Sequence, residues 1–201
     1  MTELLWETEI YAAGKFPRAP YDTVASFVYR NAAPGPRENV RILELGCGAG
    51  NNLWFLASEG YSVAGTDGSR RAVEYAKCRL AESGFRADLR VETFPDLGFD
   101  SSSFDLAFER AALSYVTPEV AAQTIREVHR VLAPRGRFFF NPYSGQSAPA
   151  PGYTCFYDRE LVVRVLGSGW RILRMHHAEL RDCLNQQELV TGDWRVEVEK
   201  L

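Results

Sequence analysis

Two features in the first third of the chain combine residue types that do chemistry with a spacing that brings them together. The run Glu44-Leu45-Gly46-Cys47-Gly48-Ala49-Gly50 places three glycines at alternate positions directly after an apolar stretch, and Asp67 follows about twenty residues on, the separation found in nucleotide sites. Glycines in such a turn let the backbone approach a ligand closely, and a helix opening at Asn51 presents free N–H groups beside it. A carboxylate at the end of the next strand accepts hydrogen bonds from a ribose diol. Taken singly, the glycines also read as a plain tight turn and Asp67 as a cap before Gly68; together they specify a nucleotide-type site. The dinucleotide fingerprint G-x-G-x-x-G needs its third glycine at position 51, which is Asn51. That argues against a nicotinamide-dependent reductase, kept as the alternative enzyme.

Further candidates lie later in the chain. Arg110 follows an expected strand at the C-terminal edge of the sheet, where ligands of open α/β folds sit. It is a candidate for acceptor binding or catalysis, with a structural salt bridge as the other reading. His176 and His177 are adjacent near the end of an expected strand, so their side chains point to opposite faces and only one can face a pocket. Tyr115 is a further catalytic candidate, and no general base announces itself. Tyr11, Arg18 and Tyr21 are placed to close over the site from an N-terminal flap, and Tyr143 from a loop after the fifth strand, although such aromatics also serve as packing. Cys47, Cys78, Cys155 and Cys183 form no C-x-x-C pair and have no histidines at ligand spacing, so no metal is expected.

These residues need a scaffold, and between residues 40 and 140 strand and helix patterns alternate as in βαβ units. Strands are expected at Val40–Leu45, Tyr61–Thr66, Asp88–Val91, Phe104–Phe108 and Arg137–Phe140. Helices are expected at Asn51–Ala57, from an N-cap at Ser69 to Ser83-Gly84, and over Pro118–Leu132, where Val120, Ile125, Val128 and Leu132 share a face. Ala133–Gly136 reads as a turn. Ahead of this core, Asp22 can cap a short helix burying Val24, Phe27 and Val28. Behind it come a small-residue loop over Ser144–Gly152, a helix over Asp158–Leu166, and strands at Trp170–Met175 and Trp194–Val198. The chain therefore reads as one domain: an N-terminal flap and helix (1–36), a ligand-binding core (37–142) and a part that completes the sheet (143–201).

The 201 residues, 46% hydrophobic and 24% charged, suit one packed globular domain. A net charge of -3 gives no field that would draw nucleic acid or anionic lipid. The acidic start Met1–Glu9 lacks the pattern of a secretory signal, and no apolar run is long enough to span a membrane. The expectation is a cytoplasmic protein, monomer or homodimer, with a small-molecule partner, no nucleic acid and no membrane.

From Val40 to Asn141 the chain resembles the class I S-adenosylmethionine (SAM) dependent methyltransferases, on the E-x-G-x-G-x-G run, Asp67, the segment Leu97–Asp105 and the Arg137–Asn141 strand after Pro134 and Gly136. The resemblance implies an α/β Rossmann-like sandwich whose mostly parallel sheet carries an antiparallel C-terminal strand. It also implies SAM as cofactor and S-adenosylhomocysteine (SAH) as product. Gly46, Cys47 and Gly48 would line the methionine part, Asp67 would bind the ribose, Gly68 and Ser69 would border the adenine, and Glu44, Gly50 and Asn52 are further cofactor-binding candidates. Thr93 stands where many relatives carry an aspartate for the adenine amino group, leaving the backbone and ring of Phe94 to read that edge. Glu109 opens the segment that cradles the reacting methyl group, and Ser114 and Tyr115 stand where many relatives have a histidine pair. The N-terminal block Tyr21–Asn31 is similar to a bacterial subgroup associated with glycan or secondary-metabolite tailoring. Asn141-Pro142-Tyr143 is not the adenine-methylating motif, which follows the fourth strand and has a second proline. The implied function is methyl transfer to a small molecule at oxygen or nitrogen, with a non-catalytic SAM-binding module as the competing class.

Overall fold

The computed structural model describes residues 8, 11, 13, 14, 16–145, 154–184 and 187–201. Five parallel strands, with helices between all but β3 and β4, fill its first two thirds: β1 (Arg41–Leu45), β2 (Ser62–Asp67), β3 (Ala87–Val91), β4 (Phe104–Arg110) and β5 (Leu132–Asn141). The chain then forms a hairpin of β6 (Trp170–Leu184) and β7 (Gln187–Lys200), and β7 inserts antiparallel between β5 and β6. The sheet order is β3-β2-β1-β4-β5-β7-β6. Helices α1 (Asp22–Asn31), α2 (Asn51–Ser58) and α3 (Arg70–Glu82) bury one face, and α4 (Pro118–Val131) and α5 (Arg159–Leu166) the other.

Coverage on both faces explains why β1 and β4 read as nearly unbroken apolar runs rather than alternating ones. Val24, Phe27 and Val28 of α1 are fully buried, and Phe27 stacks on Phe139 of β5 with ring centroids 5.3 Å apart. On the opposite face Phe138 and Phe140 pack with Ile125, Val128, Tyr157 and Val198. Side-chain caps start three helices: Ser69 accepts from the Ala72 N–H, Thr117 from Val120, and Asp158 from Leu161. Pro118 fits the first turn of α4, where its missing N–H costs nothing.

Three local expectations are corrected. Asp22 does not cap α1: Tyr21 is the cap residue, with no side-chain cap bond, and Asp22 lies inside the first turn, where a carboxylate favours the positive helix end. Ala133–Gly136 is not a turn between elements but an irregularity within β5, whose ladder jumps from Phe104↔Leu132 to Leu106↔Arg137 and holds Arg135 at φ 63°. The two short C-terminal strands are one long hairpin, paired out to Leu184↔Gln187. The expected loop after β5 lies outside the described residues from 146 to 153.

β1 and β4 are neighbours, but the chain leaves β1 through α2 toward β2 and leaves β4 through α4 toward β5, in opposite directions. That divergence opens a crevice beyond the carboxyl ends of the two strands, the usual ligand position in open α/β sheets.

Candidate active site

The crevice holds a cavity of about 120 Å³ between the turn after β1 and the end of β4. Tyr11, Phe16, Tyr21, Glu44, Asn52 and Arg110 line it together with the backbone of Gly46 to Ala49. The turn follows from its glycines. Gly46 and Gly48 are left-handed, at φ 66° and 52°, and a Cβ on Gly48 would sit 2.8 Å from the Tyr11 hydroxyl. Gly50 serves a different purpose from the other two: its missing Cβ makes room for Ala76 of α3, so it packs the helices together and does not line the cavity.

Asp67, at the end of β2, ties the turn to the neighbouring strand. One carboxylate oxygen accepts from the Gly48 N–H at 2.9 Å and the other from the Ser69 N–H at 2.8 Å. Glu44 lies deeper, fully enclosed, where burial drives its carboxyl well above the usual range against the pull of Asn52. Its Oε1 accepts from Asn52 Nδ2 at 2.7 Å, while Oε2 is buried with no hydrogen-bond partner among the described residues. A buried orphan oxygen at a cavity wall calls for a donor from a ligand. Tyr11 lies over the turn, 6% exposed, its phenol held protonated by burial and by the nearby Asp67, Cys47 and Glu44.

Arg110 closes the other wall. Its guanidinium lies 4.9 Å from the Tyr21 ring centroid and 5.1 Å from that of Tyr143, held between two aromatic faces. Burial opposes its charge, but Tyr143, Tyr21 and Asp193 outweigh this and raise its pKa. The salt-bridge reading is therefore replaced by an aromatic clamp, which brings Tyr21 and Tyr143 to the site from opposite ends of the chain. Tyr115 lies on the 3-10 turn after β4, close enough to Tyr11 to act on its charge.

Other expected site residues are elsewhere. Glu109 is fully buried on the opposite face of β4, where its oxygens accept from the backbone N–H groups of Asn141 at 2.6 Å and Leu113 at 3.1 Å. It braces the β4–β5 ends and does not line the cavity. His176 and His177 do point to opposite faces, but both lie on the hairpin away from this cavity, His177 with its ring 4.8 Å from that of Trp194. Arg18 is exposed near Arg79. Gly68, Ser69, Thr93 and Phe94 follow β2 and β3 outside the cavity wall; Thr93 is exposed and Phe94 half-buried. Asn51 and Phe16 are lining residues that sequence reasoning missed. Asn51, read only as the absent third glycine, donates to the Ala19 carbonyl and so holds the N-terminal segment against the turn.

A mostly parallel Rossmann-like sheet with a glycine turn after β1 and an acidic residue ending β2 defines a nucleotide-binding α/β protein. Comparison with known proteins agrees: the family model described as "Methyltransferase domain" matches residues 42–136. An uncharacterized methyltransferase of Synechocystis is 36% identical over 98 residues, covering 49% of this chain and 44% of that protein. A ubiquinone biosynthesis O-methyltransferase of Chelativorans is 35% identical over 96 residues, covering 47% of this chain and 38% of that one. Both matches span less than half the length of those curated relatives. Among solved structures, a SAM-dependent methyltransferase of Methanosarcina mazei superposes with a TM-score of 0.72 at 25% identity, over 91% of this chain and 99% of that one. Residues 42–136 thus match the methyltransferase-domain family model, and the described fold is like that of a SAM-dependent methyltransferase.

Proposed function

We propose that the crevice binds SAM and that the chain transfers its methyl group to a small-molecule acceptor, at oxygen or, second, at nitrogen. The observation that carries this reading is the strapped turn: Gly46 to Gly48 tied to Asp67, with the orphan oxygen of Glu44 in the same cavity. In this arrangement the α-ammonium of the methionine part meets Glu44, the backbone of Gly46 to Gly48 lies along the chain of that part, and the ribose hydroxyls meet Asp67. Gly68, Ser69, Thr93 and Phe94 then border the adenine. SAM supplies a methyl group on a sulfonium that is already a good leaving group. The protein's own task is to hold the nucleophile about 3 Å from that carbon in line and to exclude water. Tyr11, Phe16 and Tyr21 cover the cavity and suit the second task. Oxygen as the first choice draws on the O-methyltransferase relatives, and the cytoplasm as its place of work on the composition. Among the described residues no helix is long and apolar enough to cross a membrane.

Calorimetry with SAH and with NADH tests the reading. SAH binding supports it, and NADH binding without SAH binding sinks it in favour of a reductase. One observation favours a second reading, a SAM-binding module without catalysis: among the described residues Glu44 is the only carboxylate lining the cavity, one of its oxygens is engaged by Asn52, and no histidine lines it. Transfer of label from methyl-labelled SAM to any member of a phenol and amine panel excludes that module.

A further inference from the structure

A second, larger cavity of about 290 Å³ lies between α1 and the β6–β7 hairpin. Its floor is set by strand register. Phe108, Phe139, Glu197 and Arg174 are successive partners across β4, β5, β7 and β6 and share one face of the sheet. Two residues further along each strand the same face carries Arg110, paired with Asn141, and Arg195, paired with His176. Arg110 also lines the crevice, and Tyr21 of the crevice wall is followed directly by Asp22 of the groove wall. Groove and crevice are therefore neighbours on one face of the sheet, with Arg110 and the start of α1 between them.

The groove wall carries three arginines against two carboxylates, Asp22 and Glu197. Arg30, Arg174 and Arg195 line it, with His176 beside them. Arg30 is committed to Glu197 at 2.5 Å and Arg195 to Asp193 at 2.9 Å, which orients their forks. Arg174 has no carboxylate within 4 Å among the described residues. On the opposite wall the Thr23 hydroxyl, in the first turn of α1, is buried without a hydrogen-bond partner among the described residues. A guanidinium with no carboxylate partner among the described residues and an unpartnered hydroxyl on the wall of the same groove match the donors that a carboxylate or phosphate group takes.

We propose that this groove binds the acid group of the methyl acceptor, which is thus a small organic anion. The inference rests on the methyltransferase reading of the neighbouring crevice. Arg174 and Thr23 hold the acid, Phe139 supplies an apolar floor for the body of the molecule, and the nucleophilic end passes Arg110 into the crevice. The groove is a specificity site, separate from the cofactor turn.

The test is NMR titration of the SAH-loaded protein with benzoate and, separately, with its neutral isostere benzamide. Benzoate should shift the amide signals of Thr23, Ser26, His176 and Arg195, and benzamide should not. Arg174→Gln should weaken the benzoate response about tenfold, the loss of one charge-assisted hydrogen bond, and leave SAH affinity unchanged. Equal responses to the two probes, benzoate shifts centred outside the groove, or an unchanged response in Arg174→Gln overturn the proposal. Because SAH affinity is read on the same samples, SAH binding with an indifferent groove rejects the acceptor site alone, while failure to bind SAH rejects the methyltransferase reading beneath it.

Discussion

Asp67 spends both carboxylate oxygens on the backbone of the site, at Gly48 and Ser69, so its removal loosens the turn as well as removing a ligand contact. Asp67→Ala should weaken SAH binding by about 1.5–3 kcal/mol, the range for hydrogen bonds to a charged group. Calorimetry on the folded variant checks this, and unchanged affinity would take Asp67 out of the site. Glu109 behaves differently. Burial pushes its carboxyl up to about 7, although the N–H groups of Leu113 and Asn141 pull it back. An unfolded glutamate titrates at about 4.3. Between those values the folded protein holds a proton that the unfolded chain releases, so stability should fall as pH rises from about 4.5 to 7 and level off above. Urea midpoints across that range should show the slope, and Glu109→Gln should flatten it; an equal slope in the variant would assign the effect to another group. Position after β4 suggested a site role for Glu109, but strand parity turns it to the face opposite its neighbour Arg110, and parity at a strand end cannot be read until the strand's limits are known.

Among the elements, the segment before α1 lies directly against the crevice. Tyr11 is buried over Gly48, Phe16 rests against Tyr75 of α3 with ring centroids 5.0 Å apart, and the Ala19 carbonyl accepts from Asn51. These contacts tie the segment to the wall of the crevice more than to the main core, as a lid requires. Deleting residues 1–19 should cost turnover far more than stability, and hydrogen exchange of the segment should slow when SAH binds. Equal protection with and without SAH, together with unfolding on deletion, would make it a brace. The five parallel strands and α2 to α4 were legible because burial on one or both faces leaves a clean apolar signal. The inner ends of β6 and β7 were legible too, but the rest of the hairpin between Met175 and Trp194 was not. From His176 to Arg181 the described residues of β6 are exposed or half-buried, and residues such as His176, Glu179 and Arg181 leave no apolar face to recognise. The Arg110 clamp was half legible: strand position flagged the arginine, but Tyr21 and Tyr143, 122 positions apart, meet only through the fold.

At the scale of the molecule, the sheet is completed by the last strand of the sequence inserting between two earlier ones. β7 buries Val196 and Val198 toward α4 and α5 and turns Glu197 and Glu199 to the other face, where each is about 5% exposed. Glu199 gathers arginines from both neighbouring strands, Arg171 of β6 at 2.5 Å and Arg137 of β5 at 3.4 Å, with Arg135 at 3.8 Å. One buried carboxylate thus joins three strands. Breaking a buried pair costs about 3–5 kcal/mol when the surviving charge stays buried. Here the arginine side chains are 34–81% exposed and can turn to water, which lowers the expected cost. Glu199→Ala should therefore destabilise the whole fold by about 1–3 kcal/mol, and chemical denaturation should remain a single transition because β5, β7 and β6 are lost together. The same variant should bind SAH normally at a temperature where it is folded, since Glu199 lies at the opposite end of the strands from the glycine turn. A variant as stable as the parent would mean that strand pairing and the valine face hold β7 without the carboxylate. A biphasic transition would mean that the hairpin unfolds apart from the parallel core.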